Sequence, residues 1–204
     1  MTKSAKKQAS RIGIFAGTFD PVHAGHITFA LQALKAAKLD KVVFMPERRP
    51  RNKTQVEHFG HRVAMLKNAL KPHPQFEVFE SVDMNFSVKR TVPQLKVYYP
   101  EANFIYMLGS DVVGGLADWP NITALIKNGE FAIGLRENAD RQEIHKLVEG
   151  WPEEPKSVTI FESFAPSVSS NKIREALRSK KDADGILKSV ERYSDHHWLY
   201  VSVA

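Results

Sequence analysis

The chain has 204 residues, 43% of them hydrophobic, and no cysteine. That supplies one well-packed domain and excludes disulfides and thiolate metal sites. Its 29 basic and 23 acidic residues give a formal charge of +6, but Lys3, Lys6, Lys7 and Arg11 crowd the first eleven positions, so the excess marks a solvated tail rather than a nucleic-acid surface. No apolar run approaches the roughly 20 residues of a membrane span, and no signal-peptide core opens the chain. The expectation is a soluble, cytoplasmic protein with no nucleic-acid or membrane partner. It has a disordered basic leader over 1–10 and a single domain over 11–204; a homo-oligomer is compatible with this composition.

In chain order, RIGIFAG (11–17) predicts a buried strand ending at Gly17. Ile27, Ala30, Leu31, Leu34 and Ala37 then recur at helical spacing, predicting a helix over 24–38. KVVFMP (41–46) is a second strand stopped by Pro46, followed by the polar loop PERRPRNKTQVEH. A helix follows over 59–70, then a third strand at 76–80 and a short helix at 91–99. ANFIYMLGSD (102–111) predicts a fourth strand, 118–128 a helical pair, and 130–136 a fifth strand. A helix at 139–149, a sixth strand at 157–162, a helix from SSNKIREALRS and a short helical tail complete the chain. Alternating continuous apolar strands and helices predict an α/β fold, a doubly wound parallel sheet with helices on both faces. Ligands of such sheets sit beyond the carboxyl ends of the strands.

The first strand end is the most informative. The chain turns through TFDP and enters a helix near Ala24, which directs backbone N–H groups and the positive helix end toward the crevice. His23 and His26 flank the entry on one side of the first turn, and Gly25 between them permits close approach. A helical metal pair prefers i,i+4 histidines with a carboxylate, and no third ligand is near. Contact with phosphate is therefore favoured over metal ligation or a purely structural helix start.

The string AGTFDPVHAGH resembles the (T/H)xGH signature of the nucleotidyltransferase superfamily, and SVSSNKIREAL (167–177) resembles its ISSTxxR element, with Asn171 in place of Thr. MLGSDVVGGLADWPNITALIKNGEFAIGLR resembles the nicotinate-nucleotide (or nicotinamide-nucleotide) adenylyltransferases through Gly109, Asp111, Trp119, Leu125 and Arg136; Lys53, Arg62 and Met65 match a basic loop and RxxM helix start. The resemblance implies a Rossmann-like fold and transfer of the AMP part of ATP to nicotinate or nicotinamide mononucleotide, releasing pyrophosphate. It implies catalytic roles for His23, His26 and Arg174, and ATP contacts from Gly17, Thr18, Phe19, Gly109, Asp111, Ser169 and Ser170. Lys53, Thr91, Trp119 and Arg136 are the implied acceptor contacts. Mg²⁺ would arrive with ATP, and no protein-held metal is implied.

One element departs from that pattern. An SYTxxTL segment is expected after the third strand, and NFSVKRTVPQL stands there, with Ser87 and Thr91 surviving, Lys89 and Arg90 as replacement cations, and Pro93 at the helix start. Two alternatives stay open on the sequence: a sister transferase using phosphopantetheine or a cytidylyl acceptor, and a non-catalytic nucleotide-binding regulator.

Overall fold

The computed structural model describes residues 9–51, 53–136, 139–163 and 168–201. The expected leader lies outside them apart from Ala9 and Ser10, and the Ser10 carbonyl already accepts from the Asn103 N–H at 2.8 Å. The strands are β1 (Arg11–Gly17), β2 (Lys41–Pro46), β3 (Phe76–Val78), β4 (Asn103–Gly109), β5 (Glu130–Leu135) and β6 (Ser157–Glu162). The helices are α1 (Ala24–Ala36), α2 (Phe59–Leu70), α3 (Thr91–Tyr98), α4 (Ser110–Val113), α5 (Ile122–Asn128), α6 (Arg141–Glu149), α7 (Ser170–Arg178) and α8 (Lys188–His196).

Among the described residues the strands form one parallel sheet of order β3-β2-β1-β4-β5-β6. The order reverses between β1 and β4, which opens a crevice outside their carboxyl ends, at Gly17 and Gly109. The strands are apolar on both faces because each face is covered. Phe44, Ile105 and Ala132 join Phe29 and Ala33 of α1, Leu66 of α2 and Val190 of α8 in one core. Ile14, Val43 and Ile133 join Leu95 of α3, Ile126 of α5 and Ile144 of α6 in the other. Gly134 lets the Phe29 ring lie directly on β5, where any Cβ would collide with it.

Several boundaries differ from expectation: β3 ends at Val78, not 80, and α6 begins at Arg141, not 139. Helix α1 stops at Ala36 because Lys38 takes φ 50°, turning Leu39 back so that its N–H reaches the Leu34 carbonyl. The predicted end of the fourth strand is helical from Ser110, in a segment too short to show periodicity. Pro93 does not delay α3: it occupies the first turn, where an amide proton has no intrahelical acceptor.

Candidate active site

The turn after β1 is built from inside outward. Phe19 adopts φ 50° and buries its ring against Phe15 and Phe44, with centroids 5.3 and 5.6 Å away. Its ring edge meets His26 at 5.0 Å. After the cis Asp20–Pro21 bond, His23 takes an extended conformation at the N-cap of α1. The His26 Nδ1 accepts from the His23 backbone N–H at 3.2 Å, and the two rings lie 3.8 Å apart. With Nδ1 accepting, the proton of a neutral His26 resides on Nε2. The buried His23 Nδ1 has no hydrogen-bond partner among the described residues. One helix-end amide is already spent, since Ala24 N–H donates to the Gly185 carbonyl.

Helix α7 meets this turn from the far end of the chain. Ser169 is its N-cap and accepts from the Lys172 N–H at 3.3 Å; Ser170 instead donates to the Pro21 carbonyl at 3.0 Å. Arg174 donates from Nη1 to the Asp20 carbonyl at 2.6 Å and from Nη2 to Asn171 Oδ1. Its Nε is buried and unpartnered among the described residues. The replacement of Thr by Asn171 thus supplies a side-chain acceptor for the guanidinium.

Several cations converge on the crevice. Lys53 Nζ donates to Thr18 Oγ1 at 3.1 Å. Arg136 Nε pairs with Asp111 Oδ1 at 2.9 Å, both side chains being more than half exposed; Gly109 leaves room for this pair, since a Cβ there would collide with the Asp111 carboxylate. Asp111 lies in the first turn of α4, and Gly109, not Asp111, is the N-cap. Burial, then the charge of Arg136, pushes His23 down to about 4. Burial, then His23, Arg136 and Lys53, holds His26 well below its usual value. Both imidazoles are therefore neutral donors and acceptors at neutral pH, in a field that favours anions.

The other expected acceptor contacts separate. Trp119 is half-buried, near Phe86 (6.3 Å between centroids), with the Arg51 guanidinium 5.3 Å over its ring. Thr91 is fully buried, its hydroxyl donating to Asp83 at 2.7 Å and accepting from Ser87 N–H at 2.9 Å, so it presents nothing to the crevice. Arg90 is likewise engaged, its Nε 3.0 Å from Asp83. The altered segment thus forms an internal network, whereas the resemblance implied a ligand surface.

Sequence reasoning missed three residues. Asp20 reads only as a turn residue in TFDP, yet it is buried and receives Tyr200 Oη–H on Oδ1 at 2.7 Å. Tyr200 and Arg51 carried no local signal, because their partners lie far away along the chain.

The profile of the cytidylyltransferase-like family matches residues 14–176. The chain is 34% identical to the probable nicotinate-nucleotide adenylyltransferase of Bacillus pumilus and to the nicotinate-nucleotide adenylyltransferase of Bacillus subtilis, in each case over 94% of this chain and 99% of the relative. In fold it is similar to the nicotinic acid mononucleotide adenylyltransferase of Plasmodium falciparum complexed with NaAD, with a TM-score of 0.74 at 18% identity, covering 94% of this chain and 97% of that one.

Proposed function

The chain belongs to the cytidylyltransferase-like family, among its nicotinate-nucleotide adenylyltransferases, and from that membership we propose that it joins the AMP part of ATP to nicotinate mononucleotide with release of pyrophosphate. The observation that carries this is the meeting of two helix N-termini at the sheet's reversal: the His23–His26 pair on α1, and Ser169, Ser170 and Arg174 on α7, docked through Pro21 and Asp20. With Lys53 and Arg136 alongside, this crevice suits a polyphosphate.

The acceptor's 5′-phosphate oxygen attacks the α-phosphorus of ATP, a P–O bond forms there, and the bond to the pyrophosphate oxygen breaks. No side-chain nucleophile is required, because the attacking oxygen is already anionic. The chain supplies position and charge stabilisation. The Nε2–H of His26 and the ring of His23 hold phosphate oxygens; Arg174 and the start of α7 grip the β- and γ-phosphates. Gly17, Thr18, Phe19, Gly109 and Asp111 frame the nucleotide. Among the described residues no three His, Asp or Glu side chains gather as a metal site. Mg²⁺ enters as part of the ATP substrate, shielding phosphate charge.

Trp119 offers a face for the pyridine ring. The Arg51 charge over the same indole supports nicotinate, whose ring carries a carboxylate, over the neutral amide. Incubating the protein with ATP, Mg²⁺ and nicotinate mononucleotide, nicotinamide mononucleotide, phosphopantetheine or a cytidylyl acceptor, and measuring pyrophosphate, tests this. The expected outcome is release fastest with nicotinate mononucleotide. Release with phosphopantetheine or the cytidylyl acceptor, and with neither pyridine nucleotide, overturns the acceptor assignment.

A further inference from the structure

The tail beyond α8 reaches the crevice without lining it. Trp198 and Tyr200 both take left-handed backbone angles, φ 54° and 60°, which crowd the Cβ of a side-chain-bearing residue against its own backbone carbonyl. Such angles persist only where the surroundings over-determine them. Between them the Leu199 N–H donates to the Ser194 carbonyl at 2.9 Å, and both Leu199 and Tyr200 are buried. The result is that the Tyr200 hydroxyl is delivered to Asp20 Oδ1, 180 residues earlier, at 2.7 Å.

Asp20 is 2% exposed. Its other oxygen, Oδ2, takes the Glu57 N–H at 3.4 Å and faces Arg174 Nη1 at 3.6 Å, while its carbonyl takes that same Nη1 at 2.6 Å. The setting of this one residue therefore fixes where the Arg174 guanidinium lies. With Nη1 spent on Asp20 and one Nη2 proton on Asn171 Oδ1, Nε and the second Nη2 proton are what remain for phosphate oxygens, and Nε has no partner among the described residues. A phenylalanine at 200 would fill the same volume, so the hydroxyl has a task beyond packing. Burial and the adjoining Asp20 carboxylate push its pKa upward, keeping it a donor.

We infer that Tyr200 is a positioning residue that acts through Asp20 on Arg174, and thereby sets the grip on the ATP phosphates. The inference rests on the proposed function for Arg174's role, and it assigns work to a residue beyond the 14–176 segment that matches the family.

A double-mutant cycle tests it, reading ATP affinity by calorimetry together with kcat and KM for both substrates, in wild type, Tyr200→Phe, Arg174→Ala and the pair. Tyr200→Phe should weaken ATP binding and raise its KM about fivefold to tenfold, with the acceptor KM within twofold. In the Arg174→Ala background the same change should add less than twofold. ATP parameters within twofold of wild type in Tyr200→Phe, or losses that multiply in the double variant, overturn the inference. Should Tyr200→Phe fail to fold, Asp20→Asn keeps the volume and an acceptor for the phenol but removes the charge facing Arg174. An ATP-selective defect there supports the chain of contacts, and equal defects for both substrates overturn it. If Arg174→Ala itself leaves ATP affinity unchanged, the phosphate assignment of the proposed function fails, and the inference with it.

Discussion

At the scale of single residues, the two histidines are held neutral at neutral pH. Desolvation lowers both pKa values, and the charge of Arg136 adds to it, so His23 and His26 enter the crevice as hydrogen-bonding groups without a permanent charge. Removing one positioned donor to developing negative charge costs about 10²–10³ in turnover in comparable sites. His26→Ala is accordingly expected to lower kcat about a hundredfold, with the unfolding midpoint moved by only a few degrees; turnover equal to wild type would refute the assigned role. The histidines themselves were legible in TFDPVHAGH, because a helix start after a buried strand leaves few tasks for such a pair. Their protonation state was not, since it is set first by burial in the folded turn and then by charges such as Arg136, more than a hundred residues downstream. Asp20 stood in the same quoted string and still read as a turn, because its partners come from the loop before α2, from α7 and from the tail.

At the scale of elements, strand ends were legible where glycine or proline ends them, as at Gly17 and Pro46. Helix faces followed their apolar spacing. What spacing hides is the polar residue that an element turns inward. Arg62 on α2 matches the RxxM helix start by resemblance, but its spacing gives no sign of burial, and it is 1% exposed. It donates from Nε to the Glu57 carbonyl at 2.9 Å, from Nη1 to Thr18 at 2.6 Å, and from Nη2 to Glu47 and Arg48 at 2.8 and 3.2 Å. One guanidinium thereby ties α2 to the loops following β1 and β2. Arg62→Met keeps much of the volume and orphans these carbonyls, so a loss on the order of 3 kcal/mol is expected, read as a lower urea midpoint. Arg62→Lys should recover only part of it, because an ammonium cannot span the fork. A midpoint unchanged in Arg62→Met would show that the tie is dispensable.

At the scale of the molecule, a parallel sheet was legible in the repeated strand–helix alternation, but the order of its strands was not. That order decides the site, because only the reversal between β1 and β4 brings the ends of Gly17 and Gly109 together. Folding also links the histidines to pH. Their folded values lie below the ordinary 6.5, reaching about 4 for His23, so between those limits the unfolded chain binds more protons than the folded one. The stability they lend is complete above pH 6.5 and is lost as pH falls toward 4, by up to about tenfold in the unfolding constant per pH unit for each histidine. Urea titrations across that range should show the midpoint falling, and His23→Asn should flatten the slope. An identical slope in the variant would mean that other groups carry the acid sensitivity.

The docking of α7 and the tail onto the first turn also has a consequence for the order of synthesis. As the chain is made, residues 18–26 are finished early, yet the carbonyls of Asp20 and Pro21 wait for Arg174 and Ser170, and the Asp20 carboxylate waits for Tyr200. A nascent chain halted before these partners emerge would carry the whole histidine string and still hold an unfinished form of the proposed phosphate cradle. The turn is thus completed late and at once, when the tail beyond α8 closes on a residue written 180 codons before.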